Sequence, residues 1–217
     1  MPFFLVNKPK NYTSHDIVDK FKFFYYWEKV GHSWTLDPMA TWLLIIAVWK
    51  EYTKHLWKLL GMDKTYVTEI DFSILTDTWD MDFYDTKVEY KVLEDGIEKD
   101  WEFIKAPSLE QIKKELNKLI PDAELPLTMF SAKKKDGKKL YELAREGIDL
   151  KLKQKMKINS YEILEYDFPK LKLRLNVWSG TYIRSIGYWL WQQLGLGWTL
   201  TMLHRESIGP FKMRSNS

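Results

Sequence analysis

Residues 171–177 alternate strictly between apolar and polar side chains, in the order Leu-Lys-Leu-Arg-Leu-Asn-Val. A period of two is that of a β-strand with one buried and one solvated face. The continuous apolar run at 43–48 predicts a second, fully buried strand. Further strands are predicted at 3–6, 65–74, 87–92 and 199–206. The chain therefore has to build a sheet with at least one protected face.

Helices are predicted between these strands. Thr13 or Ser14 caps the first helix, and Ser108 with Gln111 forms a capping box for another that runs to about residue 119. The first helix is predicted to carry one apolar face made of Ile17, Val18, Phe21 and Phe24. Further helical segments are predicted at 51–60 and 180–194. Because strands and helices follow no regular βαβ rhythm, we predict an α+β fold with a mixed, mainly antiparallel central sheet flanked by helices.

The chain length suits a single domain with one elaborated loop. With 217 residues it can bury a hydrophobic core of its own. Residues of about 121–150 are polar, rich in lysine and contain an Asp-Gly turn pair, which predicts an insertion with a short helix at 140–146. Lysines cluster at 133–139 and at 151–157. Such clusters suit phosphate contacts, although a solvated face is an equally good interpretation.

The composition excludes several classes of function. The absence of cysteine rules out disulfides and thiolate metal sites, and the 4 histidines lack ligand spacing, so no metal site is predicted. A net charge of +3 does not by itself indicate a nucleic-acid partner. No signal-peptide pattern begins the chain, and its longest apolar run, 42–49, is too short to span a bilayer. A cytoplasmic protein without membrane contact is expected.

Residues 31–41 read Gly-His-Ser-Trp-Thr-Leu-Asp-Pro-Met-Ala-Thr and form the most informative block of the chain. Asp37 directly precedes Pro38, and the residue before a proline is restricted to extended backbone conformations. His32 is a planar side chain that can stack or hydrogen-bond. By itself an Asp-Pro pair is most often only a turn, so the surrounding pattern has to carry any functional interpretation.

This block resembles the catalytic loop of the TruB family of bacterial tRNA pseudouridine synthases, whose pattern is Gly-His-x-Gly-x-Leu-Asp-Pro-x-Ala-x-Gly. The chain departs from the pattern at Trp34 and Trp42, where the family has glycine. Four more blocks resemble the family in the same order, at 7–14, at 64–66 with 76–78, at 131–147, and at 180–185 with 203–205. The resemblance covers most of the chain.

The resemblance implies a single pseudouridine synthase catalytic domain over residues 1–217, without the further C-terminal RNA-binding domain that many family members carry. It implies that the protein isomerises a uridine in the T-loop of tRNA (position 55) to pseudouridine, with no cofactor and no metal. A base inside folded RNA has to be flipped out into a pocket before it can react. A monomer is the expected state.

The resemblance also implies roles for individual residues. Asp37 would be the nucleophile, attacking either the sugar or the base, and Arg184 would stabilise and orient its carboxylate. Tyr66 would stack on the flipped uracil and move a proton. The expected substrate-binding residues are His32, Tyr182, Leu203, Lys8 and Lys133.

Taken singly, these residues have plainer interpretations. Tyr66 and Tyr182 also suit core aromatics with a satisfied hydroxyl, and Arg184 also suits a surface charge. Asp77, between two threonines, is typical of an Asx turn and is given only a supporting position around the site. Two other functions remain open: a non-catalytic protein that binds and folds tRNA, and a synthase that acts on another RNA.

The tryptophans occupy unusual positions. The chain has 11 Trp and only 10 Gly. Trp34, Trp42, Trp49, Trp191 and Trp198 stand where the family has glycine, and Trp27, Trp79 and Trp178 stand where glycine is common. Trp57, Trp101 and Trp189 lack a clear glycine counterpart. One hypothesis is a gene in which UGA encodes glycine; the alternative is an RNA-binding protein that uses indoles as stacking platforms.

Overall fold

The computed structural model describes residues 3–81, 86–131 and 133–213. Its strands are β1 (Phe3–Lys8), β2 (Val30–His32), β3 (Thr41–Val48), β4 (Lys64–Asp71), β5 (Ile74–Asp80), β6 (Lys87–Glu89), β7 (Lys91–Leu93), β8 (Gly96–Lys99), β9 (Glu102–Lys105), β10 (Asp122–Pro126), β11 (Lys134–Lys135), β12 (Lys138–Lys139), β13 (Lys153–Asp167), β14 (Lys170–Val177), β15 (Trp198–Ile208) and β16 (Phe211–Lys212). Its helices are α1 (Ser14–Phe24), α2 (Lys50–Thr53), α3 (Trp57–Leu60), α4 (Leu109–Asn117), α5 (Leu140–Arg145) and α6 (Ile183–Leu194).

An 11-stranded sheet forms the centre of the fold. Its main path runs β1-β3-β15-β4-β14-β13-β10, and β2, β5, β6 and β16 pair at its margins. The pairings of β15 with β3 and with β5 are parallel, and the other described pairings in this sheet are antiparallel. The predicted α+β class with a mainly antiparallel sheet is confirmed. In the described ranges, no helix is long and apolar enough to cross a membrane.

β14 and β3 bury their side chains in the two ways that their sequences predict. Every second residue of β14 from Leu171 to Val177 is buried, so one face of the strand points into the core. In β3 six consecutive residues are buried because both faces are covered. One face joins the main core, and the other packs against Leu56 and Leu59. Each apolar side chain buried in this way stabilises the fold by roughly 1.5–3 kcal/mol.

The helix starts follow the caps, but three predicted elements are divided. Thr13 and Ser108 each accept a hydrogen bond from the third helical amide, and each completes a capping box. The helix predicted at 51–60 consists of two short helices, α2 and α3. The strand predicted at 65–74 ends at Asp71, where a turn leads into β5. The strand predicted at 87–92 forms β6 and β7, which belong to different sheets.

One residue on the predicted apolar face of α1 lies outside the core. Ile17 is buried, whereas Phe24, the last residue of the helix, is 78% exposed. Tyr25 leaves the helical conformation and places its ring against Phe4. The prediction for Phe24 was wrong because Tyr25, and not Phe24, packs beside Phe4 and Phe21 at the end of the helix.

The insertion begins later than predicted. Residues Asp122–Pro126 form β10, which pairs with β13 in the central sheet, so the inserted segment runs from about 127 to 152. It contains the β11–β12 hairpin and α5. β13 itself was not predicted, because its lysines suggested only a basic surface. Buried Met156 and Ile158 alternate with those lysines and give the strand its inner face.

Candidate active site

Asp37 lies in the connection between β2 and β3, which is tied to the start of α1. The amide of Leu36 donates a hydrogen bond to Oγ of Ser14 at 2.8 Å. The amide of Asn11 donates to the carbonyl of Pro38 at 3.0 Å. Both bonds join the loop to the N-terminal segment, so the Asp37 carboxylate is held by residues distant in sequence. A reactive group needs this kind of support to stay within productive geometry.

Lys8 supports the same loop from beneath. Its ammonium donates to the carbonyls of Pro9 at 3.0 Å, Tyr12 at 2.5 Å and Pro38 at 2.9 Å. The residue is 0% exposed. A buried ammonium is stable only when its donors are satisfied, and these carbonyls supply acceptors. Lys8 is therefore inaccessible to RNA, which corrects the prediction that it binds substrate.

Arg184, the second residue of α6, joins Asp37 to a second carboxylate. Its Nη2 lies 3.1 Å from Oδ2 of Asp37, and its Nη1 lies 3.1 Å from Oδ2 of Asp80. It also donates to the carbonyls of Thr78 at 3.0 Å and Phe130 at 2.9 Å. With this many acceptors, the guanidinium is held in one orientation although only 4% of its side chain is exposed. Its charge stabilises the negative charge that a nucleophilic carboxylate carries.

Asp80 was missed by the sequence analysis. It lies on β5, where Thr76, Thr78 and Asp80 alternate on the buried face. An aspartate in the phase of a buried strand face needs a cationic partner, because an isolated buried carboxylate is costly. The alternation of residues 76, 78 and 80 could have indicated that Asp80 is buried. It could not have identified the partner, because Arg184 lies about a hundred residues further along the chain.

A cavity of about 70 Å³ lies against the Asp37–Arg184 pair. Tyr66 from β4, Leu203 from β15 and Tyr182 at the start of α6 form part of its walls. Tyr66 and Leu203 are almost fully buried. Aromatic and aliphatic side chains around a carboxylate and a guanidinium provide flat apolar walls with a charged floor, which suits a planar base.

A second cavity of about 510 Å³ shares Asp37 and Tyr182 with the first. His32 and Lys133 also line it, and the ammonium of Lys133 bonds to the amide oxygen of Gln154. Of the eight residues predicted for the site, the structure thus brings seven to these two adjacent cavities. Lys8 is the exception.

The environment sets the protonation of two of these groups. Burial lowers the pKa of His32, and the nearby charges of His15 and Arg205 lower it further, so the imidazole is neutral at pH 7. Burial raises the pKa of Tyr182, and the Asp37 carboxylate raises it further, so the phenol keeps its proton. Both side chains can therefore act as neutral hydrogen-bonding groups.

Arg205 is a further supporting residue whose role only the structure reveals. It is 0% exposed and lies on β15 opposite Tyr66 on β4. Nε donates to the carbonyl of Leu43 at 2.9 Å, and Nη2 to the carbonyl of Trp34 at 3.5 Å. Burial lowers the pKa of Arg205, and its interaction with the Tyr66 hydroxyl opposes that shift. Arg205 therefore connects Tyr66 to the Asp37 loop.

The model for the TruB family of pseudouridylate synthases, N-terminal domain, matches residues 22–183. The chain belongs to the TruB family. It is 39% identical over 208 residues to tRNA pseudouridine synthase B of Protochlamydia amoebophila, covering 95% of this chain and 74% of that protein. It is 35% identical over 210 residues to the enzyme of the same name from Fusobacterium nucleatum, covering 96% of this chain and 68% of that protein.

Solved structures share the fold of this TruB-family chain. A Cbf5-Nop10-Gar1 complex matches with a TM-score of 0.68 and 24% identity, covering 98% of this chain and 50% of that one. An H/ACA RNP bound to a substrate RNA containing 2'-deoxyuridine matches with a TM-score of 0.66 and 24% identity, covering 98% and 49%. The chain spans about half the length of these structural neighbours.

Trp34 restricts the space in this TruB-family site. Its side chain lines both cavities. The ammonium of Lys64 lies 5.7 Å from the centre of the indole, and burial lowers the pKa of Lys64 to about 8. The indole therefore narrows the space beside Asp37. The residues that the structure describes contain no group of three His, Cys, Asp or Glu that could hold a metal ion.

Proposed function

We propose that the protein isomerises uridine to pseudouridine in the T-loop of tRNA, at position 55, with Asp37 as the nucleophile. The observation that carries the proposal is the ion pair of Asp37 and Arg184, 3.1 Å apart, against a cavity walled by Tyr66 and Leu203. Relatives named tRNA pseudouridine synthase B, at 39% and 35% identity, support tRNA as the substrate.

The reaction needs a nucleophile and a place for the base, and no cofactor. The bond from the ribose C1′ to N1 of uracil breaks, and a bond from C1′ to C5 forms. The proton leaves C5 and N1 gains one, so atoms and electrons balance within the substrate. While the uracil turns, Asp37 can form a covalent adduct with the substrate, either at C1′ of the ribose or on the base. Its side chain is 35% exposed, enough to meet a substrate while Arg184 holds it.

The walls of the smaller cavity suit a flipped uracil. In this proposal Tyr66 stacks on the base, and Leu203 and Tyr182 confine it while it turns. The neutral imidazole of His32 fills the space that the base leaves in the RNA. In this proposal Tyr66, which lies opposite Arg205 across the β4–β15 pairing, moves the proton between C5 and N1.

Basic residues beside the larger cavity suit the RNA backbone. Lys133 lines that cavity, and β11 and β12 carry four more lysines in the same insertion. Phosphate neutralisation by such residues supplies sequence-independent affinity, which steers a folded RNA onto the site. All the proposed catalytic groups come from one chain, so we propose a monomer as the working form, acting in the cytoplasm, where bacterial tRNA is found.

The test is pseudouridine formation on an unmodified tRNA transcript, mapped to the nucleotide. We expect product at the T-loop uridine and none with Asp37→Asn, which preserves the shape and one hydrogen bond to Arg184 but cannot act as a nucleophile. A tRNA transcript with cytidine at that position is the substrate control. Tight tRNA binding without product from a folded wild-type chain would favour the non-catalytic RNA-binding function. Product only on ribosomal RNA would favour the other substrate class.

A further inference from the structure

Four tryptophans have backbone conformations that favour glycine. The dihedral φ is 75° at Trp42, 71° at Trp49, 69° at Trp79 and 69° at Trp101. At positive φ the Cβ of an L-residue crowds the neighbouring carbonyl, and a bulky side chain there is a genuine outlier. Only glycine adopts these conformations without steric cost.

The other described residues with positive φ are of types that tolerate it. They are Gly137, Gly147, Gly180, Gly195, Gly209, Asn11, Asp100 and Asp136. Asparagine and aspartate enter the left-handed region several times more often than other side chains. In the described ranges the steric rule is thus obeyed everywhere except at tryptophan.

The hairpin between β8 and β9 gives the clearest case. Lys99 pairs with Glu102, so Asp100 and Trp101 form a two-residue turn, and φ is 52° and 69° at these positions. Positive φ at both central residues is the type I′ geometry that joins twisted strands, and Asp-Gly is among its preferred pairs. Trp101 is 94% exposed, so no packing of its side chain offsets the strain.

The backbone dihedrals of Trp49 lie further from the regions that non-glycine residues occupy than those of Trp101 do. Its ψ is 143° with φ at 71°, which lies outside the left-handed helical region and close to the region that essentially only glycine occupies. The carbonyl of Trp49 accepts hydrogen bonds from the amides of Tyr52 at 3.1 Å and Thr53 at 3.0 Å. The hydrogen bonds at the start of α2 therefore hold the backbone of Trp49 in this conformation, while its indole packs against the rings of Tyr25 and Tyr52.

We propose that the protein made in the cell carries glycine at positions 42, 49, 79 and 101, because the codon translated here as tryptophan is UGA and is read as glycine. The four backbone conformations do not depend on the family pattern. They support three of the eight positions singled out by sequence, and they add Trp101, which has no clear glycine counterpart in the family.

Peptide mass spectrometry of the protein isolated from its own cells tests the proposal directly. Trypsin releases residues 30–50, which contain Trp34, Trp42 and Trp49, so fragment ions have to assign each position separately, and residues 100–105, which contain Trp101. We expect the masses of glycine at these positions. The peptide 55–58 carries Trp57, which lies in α3, and is the internal control expected to retain tryptophan. Tryptophan at 42, 49 and 101 would overturn the proposal.

A stability comparison tests the backbone argument on recombinant protein. Glycine and alanine variants differ only in Cβ, so their order reports the backbone and not the lost indole. We expect Trp101→Gly to melt about 2–4 °C above Trp101→Ala. At Trp57, exposed but helical, the order should reverse because alanine favours helix. An alanine variant at 101 as stable as the glycine variant would contradict the inference. Neither test measures activity, so their results are independent of the proposed function.

Discussion

Arg184 and Asp80 form a buried ion pair, with Nη1 and Oδ2 3.1 Å apart, while the other terminal nitrogen of the same guanidinium faces Asp37 at 3.1 Å. The two carboxylates differ in exposure, at 6% for Asp80 and 35% for Asp37. The buried carboxylate can hold the guanidinium, and the exposed one can meet a substrate.

Asp80→Asn should therefore reduce stability more than Asp37→Asn. Breaking a buried ion pair costs about 3–5 kcal/mol, and here only the more exposed Asp37 would remain to balance the buried guanidinium, whereas an exposed pair contributes about 1 kcal/mol or less. Urea unfolding of both variants at pH 7 measures the difference. Equal losses would mean that Asp37 is a structural carboxylate and not a reactive one.

Lys8→Met should lower the free energy of unfolding by about 3 kcal/mol, because the carbonyls of Pro9, Tyr12 and Pro38 lose a charged donor in a buried place. The turnover number should also fall, because the loop that carries Asp37 loses the support of Lys8. Chemical denaturation and steady-state kinetics measure the two effects. If Lys8 instead bound RNA, the variant would keep its stability and only its KM for tRNA would rise.

Trp34→Gly should increase pseudouridine formation. The indole lines both cavities, and its removal opens the smaller one, at about 70 Å³, toward the larger one, at about 510 Å³. We expect kcat/KM on the tRNA transcript to rise at least tenfold, or by about 1.4 kcal/mol of transition-state binding. Trp57→Gly, which removes an indole on α3 that lines neither cavity, is the control. An unchanged rate for Trp34→Gly would show that the indole does not obstruct the base.

Lys64 should make stability depend on alkaline pH. Burial lowers its pKa to about 8, and its ammonium donates to the carbonyls of Leu60 and Met62. The unfolded chain, with an ordinary lysine pKa of about 10.4, therefore binds more protons than the folded chain between these values. Stability should rise through that interval by up to about 1.4 kcal/mol per pH unit.

Lys64→Met isolates this contribution, because tyrosines titrate in the same range. The difference in unfolding free energy between wild type and variant should be flat below pH 8 and should shift in favour of wild type up to about pH 10.4. Denaturation curves at half-unit steps measure it. A flat difference throughout would place the lysine in a solvated environment.

Local patterns predicted the elements whose own residues dictate their form. The alternation at 171–177 became β14, the apolar run at 43–48 became the buried part of β3, and the predicted caps at 13 and 108 both start helices. Each of these signals lies within a few neighbouring residues. The alternation of apolar side chains selects a strand, and the unpaired amides at a helix start select a capping side chain nearby. The sequence also indicated the candidate site, through the block around Asp37 and the four other blocks that resemble the TruB family.

The partners of charged residues could be found only in the tertiary structure. Residues 153–167 form β13 because they pair with β10 and β14, and the lysines in this segment did not predict a strand. The sequence by itself determined the strand and helix patterns and the reactive residue types. Tertiary structure decided which charges are buried together, such as Asp80 with Arg184, and which lysine is hidden, as Lys8 is. The physical reason is that burial and ion pairing depend on contacts between segments far apart in the chain, which no local window of sequence contains.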